Sequence, residues 1–412
     1  MPKLAIKGGA PVAPGGLKTT WPIYGELERE LLLETLHSGK WCCAGREDGM
    51  VAKAEKEFAK FIGTKYAMAV PTGTDALALA FRSLGVGAGD EVIVPAVTFV
   101  ASASAVVLAN AIPVFVDIDP ETYQISPDAV EAAITDKTRA IEVVHYGGYP
   151  ADMDRIMEIA RRHGLLVIED ACEAAGSEWR GRKVGSLGDM GCFSFQMGKP
   201  LTCGEGGAVT YDDDELDLSC YAQQQFGRSR DGQKYMHYVP TGNHRMSEFA
   251  AAVLLAQLSR VEEQTETRYR NGEYFAGELE RIEGISALKR DPRITKRGYY
   301  FYLLRYDSSK WGDVHRDKFM AALKAEGIRC SKAHNEPLYQ LPAFRNIKKG
   351  CPITCSEYGR EVDYSQVHCP VAERVYESEI VSLGKDFLME RELVDKTLEA
   401  IWKIRDNIDE LR

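Results

Sequence analysis

The sequence predicts a doubly wound α/β fold, in which helices cover both faces of a mixed, mostly parallel sheet of about seven strands. Between residues 66 and 211, short apolar runs alternate with stretches that carry apolar residues at helical spacing. Such runs are typical of strands that are buried on both faces. The chain has 412 residues, of which 45% are hydrophobic, so it is long enough for two domains.

The predicted elements follow one another in a regular order. Irregular N-terminal structure leads into the predicted helices Glu26–His37 and Val51–Ile62. The predicted parallel strands are Tyr66–Val70, Glu91–Val94, Ile112–Val116, Ala140–Val144 and Leu165–Ile168. The helices between them are predicted at Asp75–Leu84, Ala101–Ala109, Pro127–Ile134 and Met153–His163. Two further strands, Cys192–Phe195 and Ala208–Tyr211, complete the sheet.

The rest of the chain predicts a smaller α+β domain. A long helix is expected over residues 245–282, apolar on one side at first and highly charged later. The later predicted elements are a strand at Tyr299–Tyr306 and helices at Val314–Glu326 and Glu390–Ile408. We therefore predict an N-terminal arm and large domain at residues 1–265 and a small domain at residues 266–412.

Composition narrows the class of protein. The net charge of −10 argues against a nucleic-acid partner or an anionic membrane surface. The lack of a long apolar run or a signal peptide, together with ten scattered cysteines, predicts reduced thiols and a cytoplasmic location. Cys351, Cys355, His368 and Cys369 match no closed set of zinc ligands, so no metal is expected.

Lys199 stands out because it lies on a Gly- and Pro-containing loop between two apolar strands. The stem of such a lysine should pack on apolar surface while its amine faces a cleft. We expect partial desolvation to lower the pKa of this amine. The amine is then a candidate Schiff-base nucleophile, and the alternative is an ordinary exposed loop lysine.

Further candidate groups follow the ends of predicted strands, where open α/β sheets bind ligands. Gly73 and Thr74 open a helix that could hold a phosphate, although a threonine there is also an ordinary N-cap. Phe99 could lie on a planar ring or pack in the core. Asp170 could pair with a protonated heterocyclic nitrogen or cap a helix. With a hydroxyl from Ser194 and the lysine amine, this set matches pyridoxal 5'-phosphate.

Seven motifs in a fixed order carry a family resemblance. They are PTGTDAL (71–77), DEVIVPAVTFVAS (90–102), PVFVDIDPETY (113–123), VVHYGGYPADMD (143–154), EDACEAAG (169–176), FSFQMGKPLTCGEGGA (193–208) and GNHRMSEFAAAVLLAQL (242–258). On these motifs the sequence resembles the DegT/DnrJ/EryC1/StrS family of fold-type I, pyridoxal-phosphate-dependent aminotransferases over nearly its whole length. Within the family it is most similar to the branch of scyllo-inosose aminotransferases and 3-amino-5-hydroxybenzoate synthase.

The resemblance implies a role for each matching residue. Lys199 matches the lysine that binds the cofactor covalently and shuttles a proton between Cα and C4′. Relatives with histidine at this position are dehydratases, so the lysine favours transamination. Asp170 matches the partner of the pyridinium nitrogen. The other implied cofactor contacts are Gly73, Thr74 and Ser194 at the phosphate and Phe99 against the ring.

Four more positions follow from the resemblance. Asn243 matches a residue that reaches the phosphate from a second subunit, which implies a homodimer with shared sites. Arg245 and His334 lie in segments that approach the substrate in relatives. Glu173 departs from the pattern, since relatives usually have His or Gln there, near the cofactor's 3-oxygen. We expect Glu173 to contact the cofactor and alter its ionisation, or else to be a solvated glutamate at a helix start.

The predicted function is a ping-pong transfer of an amino group from glutamine or glutamate to a ketone of a cyclitol or a nucleotide-linked sugar. One alternative on the same cofactor is a dehydratase or aromatising synthase of the 3-amino-5-hydroxybenzoate type. Another is a catalytically silent regulatory partner with this fold, which the intact Lys199 and Asp170 disfavour. A binding protein that uses no pyridoxal 5'-phosphate is the remaining alternative.

Overall fold

The computed structural model describes residues 3–44, 47–230, 232–233, 235–347 and 352–412. The strands up to residue 211 are β1 Tyr66–Val70, β2 Glu91–Pro95, β3 Ile112–Val116, β4 Thr138–Val144, β5 Leu166–Asp170, β6 Glu178–Trp179, β7 Arg182–Lys183, β8 Met190–Ser194 and β9 Gly207–Tyr211. Seven of them form one sheet in the order β1-β9-β8-β5-β4-β2-β3. This architecture confirms the predicted mixed, mostly parallel α/β fold.

One predicted strand pairs differently from expectation. The interpretation of Tyr66–Val70 as a strand with parallel neighbours is wrong, because β1 lies at the edge of the sheet and pairs antiparallel with β9. The chain returns from the Lys199 loop as β9, which also pairs antiparallel with β8. Strand β9 lies between β1 and β8 and is antiparallel to both. As a result, β1 still runs in the same direction as β8.

Helices cover both faces of the large sheet, as predicted. The helices of the chain are α1 Glu26–Ser38, α2 Met50–Ile62, α3 Gly73–Ser83, α4 Val100–Leu108, α5 Pro127–Ala133, α6 Met153–His163, α7 Asp214–Gln224, α8 Glu248–Leu279, α9 Arg316–Ala325, α10 Pro342–Arg345, α11 Pro370–Arg374 and α12 Arg391–Asp406. Helices α3, α4 and α7 pack on one face, and α2, α5, α6 and α8 pack on the other. No helix in the described parts of the chain has the length and apolar character needed to span a bilayer.

The long helix α8 begins three residues later than predicted because Ser247 caps it. The Ser247 hydroxyl accepts a hydrogen bond from the Ala250 N–H at 3.2 Å, as an N-cap residue does. The helix continues to Leu279 and so runs across the predicted domain boundary at residue 265. The position of that boundary stays a prediction.

A second, four-stranded sheet follows α8 in the order β10-β12-β14-β13. The remaining strands are β10 Ile285–Ala287, β11 Ile294–Lys296, β12 Phe301–Tyr306, β13 Cys330–Ser331 and β14 Ile380–Gly384. Strand β11 joins β6 and β7 in a small third sheet. Helices α9 and α12 contribute to the apolar core beside the four-stranded sheet.

The topology gathers the carboxyl ends of the parallel strands at one edge of the large sheet. Val144 at the end of β4 lies opposite Asp170 at the end of β5, which lies opposite Cys192 in β8. Ser194 at the end of β8 lies opposite Gly207, where β9 begins. This edge is where side chains from separate parts of the sequence meet.

We predict that Gly207→Ala destabilises this edge. A Cβ at Gly207 would lie 2.4 Å from the carbonyl oxygen of Thr72 and 2.8 Å from the amide nitrogen of Gly73, so the backbone would have to move. The expected loss is about 1–3 kcal/mol in the free energy of unfolding, measured by denaturant titration. Gly277→Ala in α8 is the control, since its Cβ meets nothing within 4 Å. Equal denaturant midpoints for Gly207→Ala and the unaltered protein would contradict the prediction.

Candidate active site

A cavity of about 690 Å³ opens at this edge of the sheet. Its walls come from the segment before α3, the start of α4, the turn after β5, the loop after β8, the start of β12 and the segment after β13. The predicted site residues that line it are Gly73, Thr74, Phe99, Asp170, Glu173, Ser194, Lys199 and His334. The structure therefore brings together most of the residues that the motifs singled out.

A tight turn presents Lys199 to the cavity. The Lys199 N–H donates to the Gln196 carbonyl oxygen at 2.8 Å, and the Gly198 N–H donates to the Gln196 side-chain oxygen at 2.7 Å. The side chain of Lys199 is only 12% exposed, so the amine is largely withdrawn from bulk water. The alternative of an ordinary exposed loop lysine is excluded.

The Lys199 amine has both an anionic and an aromatic neighbour. Its Nζ lies 3.4 Å from Oε1 of Glu173 and 4.1 Å from the ring centre of Tyr300. Burial lowers the pKa of Lys199, but the Glu173 carboxylate and other nearby groups outweigh burial and raise it above its ordinary value. The prediction of a lowered Lys199 pKa is therefore wrong for the protein without cofactor. That prediction considered desolvation of the amine but not the buried carboxylate of Glu173 beside it.

Glu173 is held inside the cavity wall. Its Oε1 faces Lys199, and its Oε2 accepts a hydrogen bond from the Gly147 N–H at 2.9 Å. The residue is 5% exposed and lies in a turn after β5, not in a helix. The alternative of a solvated glutamate at a helix start is wrong, because both carboxylate oxygens have protein partners.

Asp170 is anchored at the end of β5. Its Oδ2 accepts a hydrogen bond from the Ser102 hydroxyl at 2.8 Å, and its Oδ1 accepts one from the Cys172 N–H at 3.1 Å. Ser102 is in turn 3.0 Å from the Thr98 hydroxyl. The two donors fix the orientation of the buried carboxylate towards the cavity that both Asp170 and Lys199 line.

The preceding residue, Glu169, serves the fold and not the cavity. Its carboxylate accepts hydrogen bonds from the N–H groups of residues 185, 187 and 188 and lies 3.0 Å from Nε2 of His145. The Ala151 N–H donates to Nδ1 of His145 at 3.1 Å, so Nε2 carries the proton. Burial raises the pKa of Glu169, but His145 and the N–H groups outweigh burial and lower it. Of the two adjacent acids, only Asp170 lines the cavity.

The start of α3 forms an anion-binding corner of the cavity. The Thr72 hydroxyl accepts a hydrogen bond from the Asp75 N–H at 3.0 Å and caps the helix. The N–H groups of Gly73 and Thr74 belong to the first turn, which has no acceptor within the helix. A Cβ at Gly73 would lie 2.7 Å from Cβ of Ser194, so only glycine lets β8 approach this closely. Backbone N–H groups and the Ser194 hydroxyl together suit a phosphate.

Phe99 and His334 form the outer wall. Phe99 is 52% exposed and is not a core residue, which excludes that alternative. Its ring centre lies 5.8 Å from that of His334. Burial lowers the pKa of His334, and Lys199 adds to this effect while Glu173 opposes it, so the imidazole is neutral near pH 7. Its Nε2 has no hydrogen-bond partner among the described residues.

Two predicted residues do not line the cavity. Asn243 is exposed, and its side-chain oxygen accepts a hydrogen bond from the Arg245 N–H at 3.3 Å. The Arg245 guanidinium lies 3.4 Å from the Gln225 side-chain oxygen and 5.1 Å from the ring centre of Phe226. The expectation that Arg245 approaches the substrate has no support within a single chain.

Ser102, Gln196 and Tyr300 line the cavity although the sequence did not predict them as site residues. Ser102 lies within one of the quoted motifs, and its position one turn after Phe99 was the available signal. Tyr300 contacts Lys199 from a distance of about one hundred residues along the chain, where no pattern indicates it. Gln196 forms the turn itself.

Cys351 lies outside the described residues, and the described ones hold no cluster of three or more metal-binding side chains.

We predict that Glu173→Gln lowers the pKa of Lys199. The Glu173 carboxylate raises this pKa, so a neutral amide leaves burial as the dominant influence and the midpoint moves to lower pH. The measurement is the pH dependence of Lys199 modification by an amine reagent in the coenzyme-free protein, followed by mass spectrometry. Glu205→Gln is the control, since Glu205 lines the same cavity without being part of the ion pair. An unchanged midpoint in Glu173→Gln would contradict this assignment.

Comparison with known proteins agrees with the geometry. The sequence profile of the DegT/DnrJ/EryC1/StrS aminotransferase family matches residues 22–401. The chain is 39% identical to the L-glutamine:scyllo-inosose aminotransferase of Streptomyces griseus over 422 residues, which cover 99% of each chain. It is 40% identical to the 3-amino-5-hydroxybenzoate synthase of Amycolatopsis mediterranei over 357 residues, covering 86% of this chain and 89% of that protein.

A solved structure of a similar protein has the same fold as this chain. The crystal structure of 3-amino-5-hydroxybenzoic acid synthase matches with a TM-score of 0.83 and 33% identity, covering 96% of this chain and 100% of that one. Both the profile and the relatives span nearly the whole sequence. The chain belongs to the DegT/DnrJ/EryC1/StrS aminotransferase family.

Proposed function

We propose that this protein moves an amino group from L-glutamine or L-glutamate to a ketone on a polyhydroxylated ring, either a cyclitol or a nucleotide-linked sugar. The observation that carries the proposal is the shared cavity of Lys199 and Asp170, which places an amine and a buried carboxylate around one space. The glutamine-dependent inosose aminotransferase among the relatives supports the choice of donor and acceptor.

Aminotransferases of this family use pyridoxal 5'-phosphate, and the cavity fits it. The N–H groups at the start of α3 and the Ser194 hydroxyl would hold the phosphate, and Phe99 would lie against the ring. Asp170 would accept the hydrogen bond of the ring nitrogen. When bound, the cofactor supplies a conjugated ring that takes up electron density as a Cα–H bond breaks.

Lys199 is the residue that handles protons at the reacting carbon. Its amine would hold the cofactor covalently at the aldehyde carbon, and as a free amine it would take a proton from the donor and return one to the acceptor. Glu173 lies 3.4 Å from Nζ of Lys199, and its carboxylate favours the ammonium form of this lysine in the protein alone. Asp170, whose oxygens are fixed by the Ser102 hydroxyl and the Cys172 N–H, would favour the protonated form of the ring nitrogen.

The single cavity accounts for a ping-pong order. Donor and acceptor both have to reach Lys199, so the keto acid leaves before the ketone enters. His334 presents a neutral imidazole with a free Nε2 to this space, which suits a hydrogen bond to a substrate hydroxyl.

We also propose a homodimer with shared sites, in which Asn243 serves the cavity of the partner subunit. Asn243 does not line the cavity of its own chain, and the loop before it exposes apolar side chains. These are Phe226, Tyr235, Met236 and Tyr238, which are 37–72% exposed. Apolar side chains clustered in one exposed loop are typical of an interface. The cytoplasmic location stays a prediction.

A second candidate is an aromatising synthase that also removes water from its ring substrate. The 40% identity to 3-amino-5-hydroxybenzoate synthase favours it as the alternative. The two functions differ in product mass and in ultraviolet absorbance, because only the synthase loses water and forms an aromatic ring.

The proposed function predicts two separable half-reactions. Protein loaded with pyridoxal 5'-phosphate should convert L-glutamine to its keto acid and then aminate an added ketocyclitol or nucleotide ketosugar, as followed by mass spectrometry. Lys199→Ala should lose roughly 10²-fold or more of the rate, because no other side chain replaces its proton transfer. Lys183→Ala, at a lysine whose side chain is 19% exposed and outside the cavity, is the control. Bound cofactor with no amino transfer to any ketone would favour a silent regulatory partner.

The shared-site dimer predicts complementation between two inactive variants. In a mixture of Lys199→Ala and Asn243→Ala subunits, each heterodimer regains one intact site, since that site takes its lysine and its asparagine from different chains. Random pairing then restores about one quarter of the unaltered activity. The separate variants are the controls. A mixture no more active than the sum of its parts would show that Asn243 does not act across subunits.

A further inference from the structure

The turn that carries Lys199 is held from outside by two side chains that the reaction does not use. Trp21 donates from its indole Nε1 to the carbonyl oxygen of Met197 at 2.8 Å. Lys385 donates from Nζ to the carbonyl oxygen of Gly198, also at 2.8 Å. These are the two peptide groups directly before the nucleophile, so their orientation sets the direction in which the Lys199 side chain leaves the backbone.

The two donors come from separate parts of the chain and contact each other. Trp21 belongs to the N-terminal segment before α1, and Lys385 directly follows β14 of the four-stranded sheet. The Lys385 Nζ lies 4.0 Å from the ring centre of Trp21, a cation–π distance. Together they form a clamp, defined here as Trp21 and Lys385 on the carbonyl groups of Met197 and Gly198.

A buried ammonium is a costly way to satisfy one carbonyl group. Lys385 is only 5% exposed, and its side chain has one carboxylate partner, Asp386, at 3.2 Å. The other charged groups that act on it, Arg268 and Lys199, are cations. Burial lowers the pKa of Lys385 to about 8. Asp386 opposes this effect, and the cations Arg268 and Lys199 add to it. A lysine in this setting changes charge close to neutral pH.

We propose that Trp21 and Lys385 are positioning residues that hold the Lys199 turn in the geometry needed to attack the cofactor aldehyde, and that loss of the Lys385 charge loosens this clamp. The inference rests on the proposed function of Lys199. Small displacements of a nucleophile reduce rates steeply, so a loosened turn should slow covalent attachment of the cofactor. The expected pH dependence of the attachment rate follows from the charge of Lys385. Below pH 8 the ammonium donates a charged hydrogen bond and contacts the indole ring, and above it both interactions weaken.

The test measures the rate at which pyridoxal 5'-phosphate becomes attached to Lys199 in the full-length protein, trapped with borohydride and read by mass spectrometry. Dividing the rate of each variant by that of the unaltered protein at each pH removes the part of the Lys199 titration that both share. Lys385→Arg keeps a cation beside Lys199 and so controls for the part that loss of the Lys385 charge changes. Lys385→Met should be slower by about 10-fold near pH 7, with the difference shrinking above pH 8. Lys385→Arg should restore the rate and keep it at high pH, because arginine stays charged.

Trp21→Phe separates positioning from electrostatics, since it removes the donor to Met197 without changing any charge. It should also slow attachment. Lys403→Met is the matched control, because Lys403 is likewise buried, donates to the Ala10 carbonyl oxygen at 2.7 Å and pairs with Glu326 at 2.8 Å, away from the cavity. Its attachment rate should equal that of the unaltered protein. Thermal unfolding of every variant identifies any that fail to fold. If a Lys385 variant fails to fold, the attachment rate of Trp21→Phe decides whether the clamp positions Lys199.

The outcomes distinguish the clamp from the function on which it rests. Slower attachment in both Lys385→Met and Trp21→Phe, with rescue by Lys385→Arg, supports the clamp. Unchanged rates in both variants overturn it and leave the proposed function intact. A slower rate in Lys385→Met alone also overturns it, because the effect is then electrostatic. Failure to label Lys199 in the unaltered protein overturns the proposed function and the clamp together.

Discussion

The site depends on the pairing of one buried ammonium with one buried carboxylate. The side chains of Lys199 and Glu173 are 12% and 7% exposed, and neither charge could be withdrawn from water alone without a large cost in free energy. Because the Lys199 ammonium and the Glu173 carboxylate pair at 3.4 Å, the fold can keep a buried lysine amine at the edge of its sheet. With the proposed cofactor bound, Lys199 would hold it covalently, and Glu173 would remain beside the Lys199 nitrogen.

The surrounding structure holds the partners of this pair in place. Glu173 follows β5 by three residues and is fixed by the Gly147 N–H, so the ends of β4 and β5 orient it. Glu169, in the same strand, uses His145 and three backbone N–H groups to hold residues 185–188 ahead of β8. One short segment, residues 169–173, therefore supplies a structural anion, the acid proposed to face the ring nitrogen, and the partner of Lys199.

Much of this could be predicted from sequence, because each predicted feature is local. Apolar runs located all seven strands of the large sheet within a few residues. The rule that ligands bind at strand ends correctly placed Gly73, Phe99, Asp170 and Lys199 around one cavity. The sign of the Lys199 pKa shift could not be predicted, since it depends on a carboxylate whose direction only the fold decides. Tyr300 and the clamp residues were also missed, because contacts between residues a hundred or more positions apart leave no periodic signal.

The proposed function requires Lys199 and Asp170 to bind opposite ends of the same cofactor ring. A crystal structure of the protein with pyridoxal 5'-phosphate would show whether they do. We expect continuous electron density from Nζ of Lys199 to the cofactor, with the ring nitrogen within hydrogen-bond distance of an Asp170 oxygen. Density joined to another lysine, or a ring nitrogen that faces away from Asp170, would contradict it.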